Sequence, residues 1–188
     1  TTAAHCVWLE DEDFDILKRH GVTVACCPAS NLKLASGYAN VPKMLESGIN
    51  VALGTDGAAS NNNLNIMQDM YLFGVVYKGY FRDPTIITPA EVLHAATRAG
   101  ALSQGRGDSG LLAVGMRADL CVLNTDTPQF TPMTSAACNV VYAAQGADIR
   151  MTMVDGEVLY RDGEFKTIDI EKVKAEVQRR TDSILSRL

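Results

Sequence analysis

The feature that most constrains the fold is an alternation of short apolar runs with helix-like segments. The runs lie at residues 1–5, 22–27 and 50–54, and a segment with helical signals follows each of them. Their spacing is about thirty residues, which is what a right-handed crossover between parallel strands needs. The order strand, helix, strand, helix, strand, helix predicts parallel βα units and therefore an α/β fold.

The third run ends abruptly at a carboxylate. Residues 51–54 are largely apolar, which is typical of a strand covered on both faces, and Asp56 follows them. We expect Gly54 and Gly57 to let the backbone turn around this residue, and the polar residues 60–63 to cap the next helix. Parallel folds place their chemistry at such strand ends, but an Asp that merely caps a turn explains the spacing equally well.

Further elements follow from capping and periodicity. The helical signals predict helices over 11–20, around Val41 to Gly48, over 64–80 and over 88–99, with a loop at 28–37. The helix at 88–99 has the strongest start, because a Thr-Pro-Ala-Glu sequence combines an N-cap, a proline at the first position and a capping glutamate.

The pattern changes after about residue 110. Residues 120–123 resemble a strand, and Asp155-Gly156 and Asp162-Gly163 predict hairpin turns. The last segment has one apolar helical face, formed by Ile170, Val173, Val177, Ile184 and Leu188. We therefore expect three regions, an α/β portion at 1–109, an antiparallel β portion at 110–168 and a carboxy-terminal helix at 169–188.

Composition excludes several classes of function. The chain has 188 residues, 47% of them hydrophobic, and a net charge of −5 without a basic cluster, which argues against nucleic acid and acidic membranes as partners. No apolar stretch has membrane-spanning length, and nothing resembles a signal peptide. Five cysteines without a C-x-x-C pair favour a reducing, cytoplasmic setting. The start at Thr1, without Met, suggests a piece of a longer protein.

Two predicted strand ends carry side chains suited to hydrolysis. His5 ends the first strand and Asp56 follows the third, so both belong to the edge where parallel strands end. A histidine and an aspartate there can serve metal-assisted hydrolysis, in which the acid and the imidazole move or hold protons. On residue type alone, a hydrogen-bonded core histidine is the favoured interpretation of His5.

Polar residues beside these ends are weaker candidates. Ser30 and Asn31 follow the second strand and either face a ligand or form a turn that bonds to its own backbone. Ser60 follows Asp56 and is a ligand contact, a helix cap or both. His94 is interpreted as a packing residue within its helix, and Lys33 as a solvated side chain.

Four segments together resemble the amidohydrolase superfamily. They are His5-Cys6, the loop 28–37, the Gly-Thr-Asp-Gly segment 54–62, and the segment 110–120. More narrowly, the chain is similar to the 5-methylthioadenosine/S-adenosylhomocysteine deaminases and their chlorohydrolase relatives. The Thr-Asp-Gly match alone is weak, whereas the motifs in this order and at these spacings are specific to the superfamily.

The resemblance implies a fold, a metal and residue roles. The fold is a (β/α)8 TIM barrel, of which this chain would hold about strands six to eight, followed by part of a small β-sandwich. Asp56 matches a metal ligand after strand eight that also shuttles a proton. His5 matches the strand-six histidine that polarises water and substrate, because the alternative, a strand-five ligand, would place a glutamate where Trp8 stands. Ser60 lies where the family can contact the purine.

The resemblance also implies what is missing. The cofactor is one divalent metal, zinc foremost and iron as the alternative, but the other ligands of the family would lie upstream of Thr1. The predicted activity is hydrolytic deamination of an adenosine thioether, with water attacking C6 of the purine. A guanine-type deaminase, a triazine chlorohydrolase and a non-catalytic fragment stay open. Since a partial barrel exposes apolar edges, we also expect a homo-oligomer.

Overall fold

Residues 1–187 are described by the structure, a computed structural model, and they divide into two units. The first unit comprises residues 1–116 and 125–148. The second comprises 117–124 and the residues from 149 onwards.

The sheet of the first unit is formed by three parallel strands. They are β1 (Thr2–Ala4), β2 (Thr23–Cys26) and β3 (Val51–Leu53), hydrogen-bonded in that order. All three residues of β3 are buried, as expected for a strand that is covered on both faces. The predicted parallel arrangement is therefore confirmed, and it brings the residues after each strand to one edge of the sheet.

Helices follow each of these strands. Those of the first unit are α1 (Asp11–Arg19), α2 (Pro28–Lys33), α3 (Val41–Glu46), α4 (Ala58–Asn61), α5 (Ile66–Phe81), α6 (Pro89–Ala96), α7 (Arg98–Ser103) and α8 (Ala136–Tyr142). The core beneath them combines β2 and β3 with α5, which contributes the buried Phe73 and Tyr77. Burial of each such aromatic contributes about 1.5–3 kcal/mol to the free energy of unfolding.

Two local predictions in this unit are wrong. The predicted loop 28–37 contains α2, because Pro28 takes the first helical position, where its missing N–H is no loss. The predicted helix 88–99 begins as expected, with Thr88 and Glu91 forming a capping box. It stops at Ala96, because Thr97 leaves the helical conformation, and α7 continues separately.

The region boundaries differ from the predicted ones. Residues 125–148 belong to the first unit, whereas the sequence placed them in one antiparallel portion at 110–168. Their helix α8 packs against α5, where a Cβ on Gly74 would lie 3.2 Å from Val141 and 3.0 Å from Tyr142. Because Gly74 has no side chain, α8 can pack closely against α5. Residues 125–148 therefore belong to the α/β unit.

The second unit is an antiparallel sheet followed by a helix. Its strands are β4 (Leu120–Leu123), β5 (Ile149–Val154), β6 (Glu157–Arg161) and β7 (Glu164–Phe165), hydrogen-bonded in that order. The predicted hairpins are present, and Asp155 and Gly156 have φ angles of 52° and 82° in the first turn. The helix α9 spans Ile170–Leu185, and Leu188 of its predicted apolar face lies outside the described residues.

Within residues 1–187, no helix combines the length and the apolar character that crossing a bilayer would require.

Candidate active site

The candidate site is built where β1 and β3 end. His5 follows β1 with a φ of 66°, and Asp56 lies beyond β3 with a φ of 62°. Left-handed backbone is uncommon outside glycine and costs about 1–2 kcal/mol per residue. We expected Gly54 and Gly57 to provide this turn, but Asp56 itself adopts the left-handed conformation and Gly57 has a φ of −78°.

His5 and Asp56 converge, as the parallel strands predict. The His5 Nε2 atom lies 3.9 Å from Asp56 Oδ2, and the two side chains are 41% and 30% exposed. His5 Nδ1 lies 2.9 Å from Asn31 Oδ1, so this nitrogen carries the proton and donates to the amide oxygen. In the neutral ring Nε2 is then the nitrogen that faces Asp56 with a lone pair.

The Asp56 carboxylate is held by three uncharged donors. Ser30 Oγ and Ser60 Oγ donate to Oδ2 at 2.6 and 2.8 Å, and the Gly57 N–H donates to Oδ1 at 2.8 Å. These bonds, that from Ser30 foremost, lower the pKa of Asp56 to about 2, with a smaller contribution from the charge of His5. The carboxylate is therefore ionised near neutral pH.

The sequence candidates thus gather around Asp56 in two ways. Ser30 and Ser60 bond directly to its carboxylate, while Asn31 is bonded to His5. Ser30 and Asn31 are buried within α2, so their helix fixes both of these contacts. The predicted capping role of residues 60–63 falls instead to Asn65, whose side chain accepts from the Met67 N–H at the start of α5.

One buried acid beside the site is not indicated by the sequence patterns. Asp69 lies in the first turn of α5, is 1% exposed, and accepts hydrogen bonds from the Ala29 N–H and the Asn61 side chain. The one indication in the sequence is that Asp69 is an isolated acid between Met67 and Met70, which the pattern assigns to the core. A buried acid within an apolar stretch needs hydrogen-bond partners, and those partners mark a structured polar site.

Neighbouring thiols do not share the acidic character of Asp56. Burial raises the pKa of Cys26 to about 12 and that of Cys27 to about 11. Since a thiolate is the form that ligates metals and attacks carbon, neither thiol supplies it near neutral pH. Asp56 and His5 therefore remain as the candidates for chemistry at this edge.

The donor set fits a divalent cation only in part. A carboxylate has about four acceptor positions, of which three on Asp56 are occupied, so one lone pair on Oδ1 stays available to a cation. Within residues 1–187 no group of three or more His, Cys, Asp and Glu side chains could hold a metal. Zinc takes about three or four protein ligands, so further ligands would have to come from outside this segment.

The family model of the amidohydrolases matches residues 1–159, which include the whole candidate site. The chain belongs to the amidohydrolase family. The predicted superfamily is thus confirmed.

Curated relatives of this amidohydrolase chain are deaminases. A 5-methylthioadenosine/S-adenosylhomocysteine deaminase of Acetivibrio thermocellus is 46% identical over 184 residues, which is 97% of this chain and 43% of that protein. A 5'-deoxyadenosine deaminase of Methanosarcina mazei is 42% identical over 186 residues, which is 99% of this chain and 43% of that protein. The chain thus spans less than half the length of these relatives.

Solved structures support the same assignment. An adenosine deaminase from Xanthomonas campestris with bound zinc superimposes with a TM-score of 0.95 at 30% identity, over 98% of this chain and 42% of that one. An atrazine chlorohydrolase from Arthrobacter aurescens with zinc gives 0.87 at 27% identity, over 95% and 40%. The predicted fold, the carboxy-terminal part of a TIM-barrel amidohydrolase, is confirmed.

Proposed function

We propose that the protein to which this segment belongs is a metal-dependent hydrolytic deaminase of an adenine nucleoside. It replaces the 6-amino group of the purine by oxygen from water and releases ammonia. The observation that carries the proposal is the pair at the strand ends, an ionised Asp56 with one free lone pair and His5 Nε2 at 3.9 Å. The deaminase relatives at 42–46% identity support the substrate class.

Asp56 has two tasks in this proposal. Its Oδ1 atom is the free acceptor position, because Oδ2 already accepts from Ser30 and Ser60. This atom would bind the divalent metal. The proton of the attacking water would go to Oδ2 when the Ser60 hydroxyl turns to the Gly57 carbonyl, 3.1 Å from it, and would then be delivered to the leaving amine. When bound, the metal makes hydroxide available from water near neutral pH. Zinc is the proposed ion, since the similar adenosine deaminase and atrazine chlorohydrolase structures contain it, and iron is the alternative.

His5 orients water and substrate beside Asp56. Its ring is fixed by the bond to Asn31, which leaves Nε2 pointing toward the carboxylate at a distance too long for a direct hydrogen bond. A water molecule or a ring nitrogen of the substrate could lie between them. In the protonated form, Nε2 would donate to the purine and polarise the ring for attack.

The proposed substrate is an adenosine thioether of the 5-methylthioadenosine or S-adenosylhomocysteine type. 5'-Deoxyadenosine is the second candidate, because relatives at 42% identity carry that name. Guanine-type deamination and triazine dechlorination are weaker alternatives, since the chlorohydrolase structure is only 27% identical. We further propose that Ser60 lies near the purine, although its hydroxyl is bonded to Asp56.

The remaining proposals concern the setting of the protein. Five unpaired cysteines support a cytoplasmic location, where thiols stay reduced. A homo-oligomer that binds a small nucleoside, without nucleic acid or membrane, remains our proposal for its partners. The 188-residue segment alone is proposed to be inactive, because Asp56 is the one metal ligand that we assign to it.

The test is ammonia release by the full-length protein loaded with zinc. The panel comprises 5-methylthioadenosine, S-adenosylhomocysteine, 5'-deoxyadenosine, adenosine, guanine and atrazine. We expect the highest kcat/KM with one of the first three, and no ammonia after the metal is removed by a chelator. Preference for guanine, or chloride release from atrazine without adenine turnover, would overturn the substrate assignment.

A further inference from the structure

Asp69 is a buried carboxylate with an uncharged donor on each oxygen. The residue is 1% exposed, Oδ1 accepts from the Ala29 N–H at 3.1 Å, and Oδ2 accepts from Asn61 Nδ2 at 3.1 Å. Burial raises its pKa, although both hydrogen bonds act in the opposite direction. Burying an acid costs free energy unless it is hydrogen-bonded. The two bonds offset this cost and show which segments Asp69 holds, those of Ala29 and Asn61.

The first bond fixes the helix that carries Ser30. Its N-cap residue, Cys27, makes no side-chain capping bond, so the first N–H groups of α2 lack a local acceptor. Asp69 caps this helix from α5, forty residues further along the chain. Ser30 is the next residue after Ala29, and its hydroxyl reaches Asp56 from the turn that Asp69 holds.

The second bond fixes the turn that carries Asp56 and Ser60. Asn61 Nδ2 donates both to Asp69 Oδ2 and to the Thr55 carbonyl at 2.7 Å. This bridge closes the chain from 55 to 61 around the left-handed Asp56, with Ser60 at its end. A strained residue persists only where its surroundings determine it, and the amide of Asn61 provides such a constraint.

We propose that Asp69 is a positioning residue for Asp56, one buried carboxylate that aligns the two elements whose serines hold the catalytic carboxylate. The inference rests on the proposed function of Asp56. It assigns Asp69 no contact with substrate or metal, since its oxygens face Ala29 and Asn61. Its effect passes through the bonds from Ser30 and Ser60.

The first test is Asp69→Asn in the full-length protein. The new NH2 group must face an N–H donor on one side, so one of the two bonds is lost. We expect kcat to fall roughly 10- to 100-fold, as for other residues that orient a metal ligand, with a much smaller change in KM. An unchanged kcat in a folded variant would overturn the proposal.

Asp148→Asn is the matched control. Asp148 is also buried and also accepts from one backbone N–H, that of Gln145 at 2.8 Å, and one side-chain amide, that of Gln129 at 3.0 Å. We expect a comparable loss of Tm without the loss of kcat. An equal fall of kcat in both variants would mean that general destabilisation explains the effect, and it would overturn the proposal.

A mutant cycle tests the route of the effect. In a protein that carries Ser30→Ala and Ser60→Ala, Asp69→Asn should lower kcat by less than about threefold further, because residues acting through a shared contact are not additive. A full additional loss would contradict action through the serines. If Asp69→Asn does not fold, Asn61→Ala removes the second bond together with the bond to the Thr55 carbonyl and leaves the bond from Ala29 in place. Its effect on kcat should be non-additive with that of Ser60→Ala, and full additivity would overturn the proposal.

A crystal structure of Asp69→Asn gives a readout without substrate. We expect Ser30 Oγ or Ser60 Oγ to move beyond hydrogen-bond distance from Asp56. If both hydrogen bonds are still present in the variant, the positioning role is overturned. This readout separates the two proposals. Full-length protein that deaminates no adenine nucleoside would refute the proposed function, while the serine distances would still decide the role of Asp69.

Discussion

The pKa values of Asp56 in the first unit and of Glu176 in the second are both lowered, but for different reasons. The pKa is lowered to about 2 in both, by Ser30, Ser60 and Gly57 at Asp56, and by Arg179 and Arg180 at Glu176. Glu176 accepts two bonds from Arg179 at 2.8 Å and one from Arg180 at 2.7 Å. Its charge is therefore compensated by guanidinium groups on the same helix.

The contrast shows what an ionised carboxylate can still do. Uncharged donors favour the anion without supplying a positive charge, so Asp56 keeps a net charge with which to attract a cation. At Glu176 the cationic partners already compensate the negative charge, and solvent on this exposed helix screens the ion pair. Asp56 and Glu176 thus differ in the charge of their donors, although the pKa is lowered at both.

The largest expected effect is that of Asp56→Asn. The amide oxygen can still accept from Ser30 and Ser60, and the bond from the Gly57 N–H at the exposed turn is lost, so the fold should persist. The amide cannot accept the proton of the water. We expect kcat of the full-length protein to fall roughly 1,000-fold or more, measured as ammonia release. Glu176→Gln removes a carboxylate whose pKa is also lowered and should leave kcat unchanged. Near-normal turnover of Asp56→Asn would refute the role of Asp56.

His5→Ala should have the next largest effect. Removal of the ring leaves Asp56 and its serines in place but takes away the nitrogen that faces them at 3.9 Å. We expect kcat to fall about 10- to 100-fold, with a smaller rise of KM, in steady-state assays. His20→Ala, at the exposed end of α1, is the control and should change neither constant. If KM rose while kcat stayed unchanged, His5 would be a substrate contact and not a catalytic residue.

Part of this arrangement was predictable from the sequence. The convergence of His5 and Asp56 followed from parallel strands, because their ends meet at one edge. The helix α2 was predicted as a loop because its cap, Asp69, lies far along the chain and no local residue signals it. The packing of α8 on Gly74 is likewise a contact between distant segments, which local patterns do not encode. Sequence therefore indicated which residues meet, and distant hydrogen bonds determine how they are held.

Removal of the two serine donors should have a smaller, pH-dependent effect. The folded-state pKa of Asp56, about 2, is below its unfolded value of about 3.9. Asp56 therefore stabilises the fold above the unfolded pKa, and this contribution is lost as pH falls from about 4 to about 2. In the variant with Ser30→Ala and Ser60→Ala, acid unfolding curves should show a smaller loss over this window. An unchanged curve would contradict the assignment of the donors.

The smallest effect is expected from Lys33→Met. Lys33 Nζ donates to the Ser60 carbonyl at 2.8 Å and to Asn62 Oδ1, and thus links α2 to α4 at the exposed surface. We expect a loss of at most about 1 kcal/mol in the free energy of unfolding by urea titration. Lys18→Met, which removes a bond to the Gly48 carbonyl, should cost a similar amount. A loss of kcat as large as that of His5→Ala would show that the surface link also positions the site.

The most direct test is the salt dependence of the two carboxyl pKa values, measured by carbon NMR on the metal-free full-length protein. Salt screens exposed ion pairs but not hydrogen bonds from hydroxyl and amide groups. The account predicts that Asp56 titrates near 2 at low and high salt, while the pKa of Glu176 rises with salt. An ordinary pKa for Asp56, or one that rises with salt as that of Glu176 does, would contradict the claim that uncharged donors hold Asp56 ionised for a cation.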